Sequence, residues 1–284
     1  MQLDTSHNGR AGAAPAESVS ADWPPPLCWM QPKYSGKQYK QEQLGKGGDH
    51  PNNPDLVSER TKKRDFHEGE KGAWWFLTFD VDRMRSGTLK PGAAADCRAE
   101  HTETEEWVPY QAPKPQDAIS PLVLSGQAFK ALKLPAPPVK LNPSPGRQKV
   151  NLPVQVKFDA PLTRHWVTAS FQSQGVDIAA TTVATPTALR IDAGTSDADP
   201  QSCTYKLAKS GDGYQVDSSK SDCNIAYQRA SGDGTYPLQA QVQWKVKWTA
   251  TDDPAGPEQN PALPDALSTQ EVPVTVKEIQ TVTR

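Results

Sequence analysis

From Tyr236 to Ala250 the chain alternates: Leu238, Ala240, Val242, Trp244, Val246, Trp248 and Ala250 are apolar, while Gln239, Gln241, Gln243, Lys245, Lys247 and Thr249 between them are polar. A period of two puts every apolar side chain on one side of a pleated strand, so this stretch predicts an antiparallel sheet with one face in a core and the other wet. Shorter alternations repeat the pattern upstream and downstream. Val150, Leu152, Val154, Val156 and Phe158 form one face, Val167, Ala169 and Phe171 another, and Ile178 with Ala180, Leu189 with Ile191, and Val272, Val274 and Val276 supply more. Turn residues separate them.

The sum is a mainly β chain whose C-terminal half reads as an antiparallel β-sandwich of immunoglobulin-like size. The 27 prolines favour extended segments and turns over long helices. Pro153 and Pro273 fall at outward positions and cannot donate to a ladder, which predicts edge strands there. A net charge of -2 gives no electrostatic drive toward nucleic acid or an anionic membrane. No apolar run is long enough for a transmembrane helix.

Four organisational units are expected. Residues 1–21 are small and polar, read as a disordered lead, with Ala11 to Ala21 resembling the start of a mature exported chain. Residues 22–133 form a small aromatic-rich α+β module. It holds an extended Trp23–Trp29 stretch, a helix capped by Ser35 and ending at Leu44, and a second helix from Asn53 toward Arg64. Trp74–Phe79 reads as a buried strand with Trp107–Tyr110 as its partner, and a helix follows from Ser120 and Pro121 with Leu124, Ala128 and Leu132 on one stripe. Residues 134–148 are too rich in proline for regular structure and read as a semi-rigid linker. Residues 149–284 carry the sandwich.

The four cysteines divide evenly between the halves, Cys28 and Cys97 in the first and Cys203 and Cys223 in the second. Pairing within each half suggests two disulfides and an oxidising compartment, with buried free thiols as the alternative. The spacing is not that of a CxxC metal or redox motif. Thr204 to Asp222 is dominated by Lys, Ser, Gly and Asp, so a Cys203–Cys223 bond is expected to tie down an irregular, solvent-facing loop.

Several stretches together resemble an actinobacterial family of exported PKD-like proteins: Leu132 to Pro138, Asn142-Pro143, Val150 to Pro153, Trp166 to Ser170, Ala184 to Thr187, Cys203, Cys223 to Tyr227 and Gln243 to Trp248. Cys28 to Tyr34 and Glu70 to Trp75 resemble the N-terminal half of the same family. The resemblance implies a PKD-like fold, export from the cell and a disulfide. It implies no reaction. Where PKD domains carry a Trp-Asp-Phe-Gly-Asp-Gly-like turn, this chain has Leu189 to Thr195.

No catalytic signature is present. Gly36-Lys37 and Gly45-Lys46 lack the upstream glycine and following hydroxyl of a phosphate loop, so no nucleotide is expected. Asp80-Val81-Asp82 starts like a calcium loop but continues into Met84 and Arg85. The two Ser-Gly-Asp-Gly segments, at Ser210 and Ser231, read as turns rather than as calcium ligands with Asp192, Asp197 and Asp199. His67-Glu68 and His101 with Glu103 leave a secreted hydrolase as a second alternative, which requires both histidines and an acid in one cleft. The aromatic side chains Trp248, Trp166, Trp74 and Trp75 are the candidates to face a ligand, since an indole face stacks on a sugar ring. The expected function is a secreted or cell-surface, non-enzymatic binding or scaffolding protein with other proteins as partners and no cofactor. A polysaccharide or cell-wall binding module, marked by a row of exposed tryptophans, is the alternative.

Overall fold

The computed structural model describes residues 1–10, 12–20, 26–44, 61, 63–85, 91–101 and 103–278. The fold is mainly β. Its principal sheet is antiparallel and places four long strands side by side in the order His165–Ser173, Val176–Asp192, Tyr236–Thr249, Ala266–Val274. Gln174 and Gly175, with φ of 48° and 81°, join the first two. Two successive left-handed residues make the tight turn whose twist matches a hairpin. The expected strand from Tyr236 is present, and its six apolar positions from Leu238 to Trp248 are all buried. The alternation from Val150 is shorter than expected: it forms a strand over Gln155–Phe158, and Leu152 before it is exposed.

Val176–Asp192 runs the length of the sheet and changes partners along it. Val176 to Ala184 pair with His165–Ser173, whereas Ala188 to Asp192 pair with Ser202–Lys206. Its register against Tyr236–Thr249 shifts between Pro186 and Ala188. Pro186 cannot donate to a ladder, and the bulge falls just after it, at Thr187. Pro273 lies exposed on Ala266–Val274, whose far side is covered only at Ala266 and Leu267, in agreement with the expected edge.

The helix Pro121–Ala131 has Ser120 in extended geometry before it and proline at its start, as the sequence indicates. Leu124, Ala128 and Leu132 are fully buried. The helix packs on His165–Ser173 and Val176–Asp192, and Thr182 Oγ1 donates to the Ser125 carbonyl at 2.8 Å. Together with Trp29, Met30 and Trp75 it belongs to the same continuous core as the long strands.

A second antiparallel sheet joins Cys28–Tyr34, Gly72–Phe79 and Glu105–Pro109. The expected partnership of Trp107 to Pro109 with the Trp74 strand is therefore correct. Neighbouring tryptophans on Gly72–Phe79 point oppositely. Trp75 enters the main core, while Trp74 enters a smaller cluster with Tyr39 and Phe66. Ser35 and Gln38 form a capping box at the helix Gly36–Leu44: Ser35 Oγ accepts from Gln38 N at 3.3 Å and Gln38 Oε1 accepts from Ser35 N at 2.8 Å. Trp23, Lys46 and most of the expected helix from Asn53 lie outside the described residues.

Two further expectations are corrected. Residues 1–10 and 12–20 are not a structureless lead. Gln2–Asp4 pairs with Thr168 to Ser170, Ala14–Pro15 with Lys133–Leu134, and Glu17–Ser18 with Ala266 and Leu267. One segment thus touches both outer edges of the principal sheet, covering three residues of one and two of the other. None of its described residues is buried, so composition carries no apolar signal, and backbone pairing does the holding. Ordering each residue costs about 1–2 kcal/mol of backbone entropy against roughly 1 kcal/mol net per hydrogen bond, so the segment is weakly held.

The proline-rich stretch 134–148 is likewise not a free linker. Val139–Asn142 pairs with Gln155–Phe158, Pro145–Arg147 forms a 3-10 turn, and Gln148–Lys149 lies parallel to Val276–Lys277. Leu134 and Leu141 are buried, and so is Gln148, whose side-chain amide donates to the Pro143 carbonyl. Prolines here interrupt short pairings rather than prevent them.

Candidate functional site

Three of the four candidate ligand-facing tryptophans are core residues. Trp74, Trp75 and Trp248 are each no more than 5% exposed. Trp248 sits at a strand end, where exposure is expected, but the loop after Thr249 folds back over it. Its Nε1 donates to the Pro261 carbonyl at 2.9 Å, its carbonyl accepts from Gln259 N, and Leu263 is buried nearby. Trp29 and Trp244 are also buried. Among the described residues there is no row of exposed indoles.

Trp166 differs. It is half-buried and borders an open depression lined by Ser6, His7, Arg10, Arg164, His165 and Asp212, among others. Three segments build this place. The first is the start of the strand His165–Ser173. The second is residues 6–10, held there because the His7 carbonyl accepts from Trp166 N at 3.4 Å and lies 3.1 Å from His165 Nδ1. Asn8 fixes the same segment, its amide donating to the Ala131 carbonyl while its oxygen accepts from Lys133 N. The third is the hairpin Ala208–Ser210 and Gly213–Gln215, docked by reciprocal bonds between Leu162 and Tyr214 at 2.7 and 3.0 Å. Gly213 permits that approach, since a Cβ there would meet Pro161 Cβ at 2.6 Å.

The depression brings together two arginines, an aromatic stack and, at its hairpin wall, the exposed Asp212. The His7 ring lies flat on Trp166, with centroids 4.0 Å apart, and Ser6 Oγ is 2.9 Å from His7 Nδ1. Arg10 and Arg164 are exposed, and neither guanidinium has a carboxylate or other acceptor among the described residues. His165 is pulled below its ordinary pKa near 6.5 by burial, with the bond to the His7 carbonyl opposing this in part. With Nδ1 donating to that carbonyl, neutral His165 keeps Nε2 as an acceptor. Two unpaired arginines beside an aromatic stack suit an oxyanion carried on an apolar frame.

The other sequence candidates are dispersed. His67 stacks on Trp107 at 4.7 Å and its Nδ1 lies 3.1 Å from Glu70. Donor atoms of Asp65, His67 and Glu70 fall within 4.8 Å of one another, but both carboxylates are largely exposed. His101 instead lines a small acidic pocket with Glu100, Glu103 and Glu106, its Nε2 3.8 Å from Asp117. The two histidines therefore do not converge with an acid. In the small aromatic cluster, Arg64 lies 4.4 Å over Trp74 and pairs with Glu105, which also accepts from Tyr39. Burial and that bond to Glu105 push the Tyr39 phenol well above its ordinary range. This arrangement is a packed polar plug. Both Ser-Gly-Asp-Gly segments are turns, with Gly211 and Gly232 at φ of 59° and 61°.

Both disulfides are present, Cys28–Cys97 and Cys203–Cys223, with Cα separations of 6.2 and 5.8 Å. The segment between Cys203 and Cys223 departs from the expected irregular display. Ser202–Lys206 joins the principal sheet, Tyr205 and Val216 are buried, and Asp217 caps a 3-10 turn by accepting from Ser219 N. The replacement Cys203→Ser with Cys223→Ser should cost about 2–3 kcal/mol, close to the roughly 3 kcal/mol loop-closure value for a loop of this size. Urea unfolding measures it; an unchanged midpoint would show that the pairing alone holds the segment.

His7, Arg10, Arg164 and His165 are invisible to a sequence reading that treats residues 1–21 as structureless. The available signal is local: Arg164-His165-Trp166 opens a strand just after Pro161. Compared with models of protein families, with curated proteins and with solved structures, the chain matches none.

Proposed function

We propose that this chain is an exported, non-enzymatic binding protein of the cell surface, and that the depression at Arg10, Arg164 and Trp166 receives an acidic segment of a partner protein. The architecture is read as a PKD-like, immunoglobulin-type sandwich with residues 149–284 at its centre. Two disulfides support an oxidising location. Among the described residues no helix is long and apolar enough to cross a membrane. The observation that carries the reading is the convergence of two unpaired guanidinium groups on one aromatic-walled depression. Arginine forks grip carboxylates in two-point fashion, and arginine and tryptophan are among the residues most enriched where interfaces concentrate their energy.

An array of Asp- and Glu-rich peptides presented to the full chain tests it. Binding is expected that weakens as salt rises and falls at least about tenfold in the Arg10→Ala, Arg164→Ala double variant, the loss of one to two charge-assisted contacts. Equal binding by the double variant would overturn the site. Preference for an uncharged polysaccharide over every acidic peptide would favour the cell-wall alternative, for which Trp166 is the single half-exposed indole of the four candidates.

A further inference from the structure

We infer that residues 1–19 are an exchangeable strap: the strap of one copy docks on the sheet edges of a second, and in that dimer each depression is built from two chains. The inference holds whether or not the depression takes an acidic partner.

The strap meets the body of the fold in three short pairings. Gln2, Leu3 and Asp4 face Ser170, Ala169 and Thr168; Ala14 and Pro15 face Leu134 and Lys133; Glu17 and Ser18 face Leu267 and Ala266. Further bonds run from Gly9 N to the Lys133 carbonyl, from Ala16 N to the Leu132 carbonyl and from Val19 N to the Asp265 carbonyl. The contacts are mostly of backbone to backbone. No described side chain of the strap is buried, and Leu3 and Val19 are among the exposed large apolar residues of the described chain. A segment held in this way opens locally well before the core does.

What opening uncovers is specific. Two outer strands of the principal sheet lose their outer partner together, His165–Ser173 at Thr168 to Ser170 and Ala266–Val274 at Ala266 and Leu267. An unpaired edge is a template for an added strand, and here the two edges have fixed spacing and register. The occupant that satisfies both at once is the segment already seen to do so, supplied by another copy. Exchange of an identical element recreates every contact in a new partner at low cost, which makes it a ready route to a symmetric dimer. Gly12, at φ of 62° with nothing near its Cβ position, lies between the pairings and leaves the strap free to bend. Because His7, Asn8 and Arg10 travel with the strap, they would face Arg164, His165 and Trp166 of the other chain.

The test mixes two full-length single variants, Leu3→Cys and Ala169→Cys, warms them below the melting transition and then oxidises them. Leu3 and Ala169 are directly paired, and opposing positions in an antiparallel ladder lie within disulfide reach. A covalent dimer of twice 30.9 kDa is expected, with peptide mapping placing the new linkage between the two substituted positions. An equally abundant dimer from Leu3→Cys mixed with the off-register Asp177→Cys would overturn the inference. So would failure of the first mixture to link while Leu3→Cys and Ala169→Cys in one chain close internally, since the strap would then dock without exchanging. The internally closed chain must also stay monomeric in light scattering as concentration rises; a dimer there would place self-association on another surface.

Discussion

Val242→Asp is expected to lower the melting temperature by about 10 °C or more. Val242 is fully buried, paired with Leu189 on one side and Ser268 on the other at the centre of the principal sheet. The change removes apolar packing and places a carboxylate where no described cation can meet it, a combined cost of about 5 kcal/mol or more. Against a folding margin of about 5–15 kcal/mol, that is at least about a third of the whole. The adjacent Gln243→Asp, on the exposed face of the same strand, should move stability by no more than about 0.5 kcal/mol. Thermal unfolding by circular dichroism separates them. Equal melting temperatures would refute the register that assigns one residue inward and the next outward.

The second large effect concerns a buried charge that no sequence pattern announces. Asp80 follows the aromatic strand, and its carboxylate accepts from Lys130 Nζ, Gln127 Nε2 and Arg83 N. These bonds fasten the second sheet to the helix Pro121–Ala131. Lys130→Met removes the compensating charge but leaves the buried carboxylate, and should cost about 3 kcal/mol. Asp80→Asn added to Lys130→Met should restore a substantial part, because the neutral amide no longer lacks a countercharge. Denaturant titration of the single and double variants reads the difference. A double variant less stable than the single by the sum of independent effects would show that the pair is not energetically coupled.

How far the sequence can be read depends on whether a segment's structure comes from its own side chains. The strand from Tyr236, the helix stripe of Leu124, Ala128 and Leu132, the pairing of Trp74 with Trp107 and the Ser35 cap all announce themselves by period or by capping chemistry, and all are present. Residues 1–10, 12–20 and 134–148 are ordered by what they lie against. Their pairings use backbone groups that every sequence possesses, so nothing in their composition distinguishes a docked strap from a loose tail. The tryptophans mislead for a related reason. Period assigns Trp248 to the inner face while its place near a strand end argues for exposure, and the covering loop from Asp252 to Pro264 carries prolines rather than an apolar pattern. The depression at Trp166 draws on three segments distant in the chain, and no local pattern joins them.

The opposed pair Trp74 and Trp75 makes the strand Gly72–Phe79 a common wall between two cores. A wall of this kind cannot give way on one side and stand on the other. Packing lost around Tyr39 and Phe66 loosens the backbone that also positions Trp75 against the helix and the long strands. The sequence reads as two parts divided at its prolines, but the buried core does not follow that division. The aromatic dipeptide turns two bodies of side chains into one cooperative structure, and substitutions made in either body should be read as acting on both.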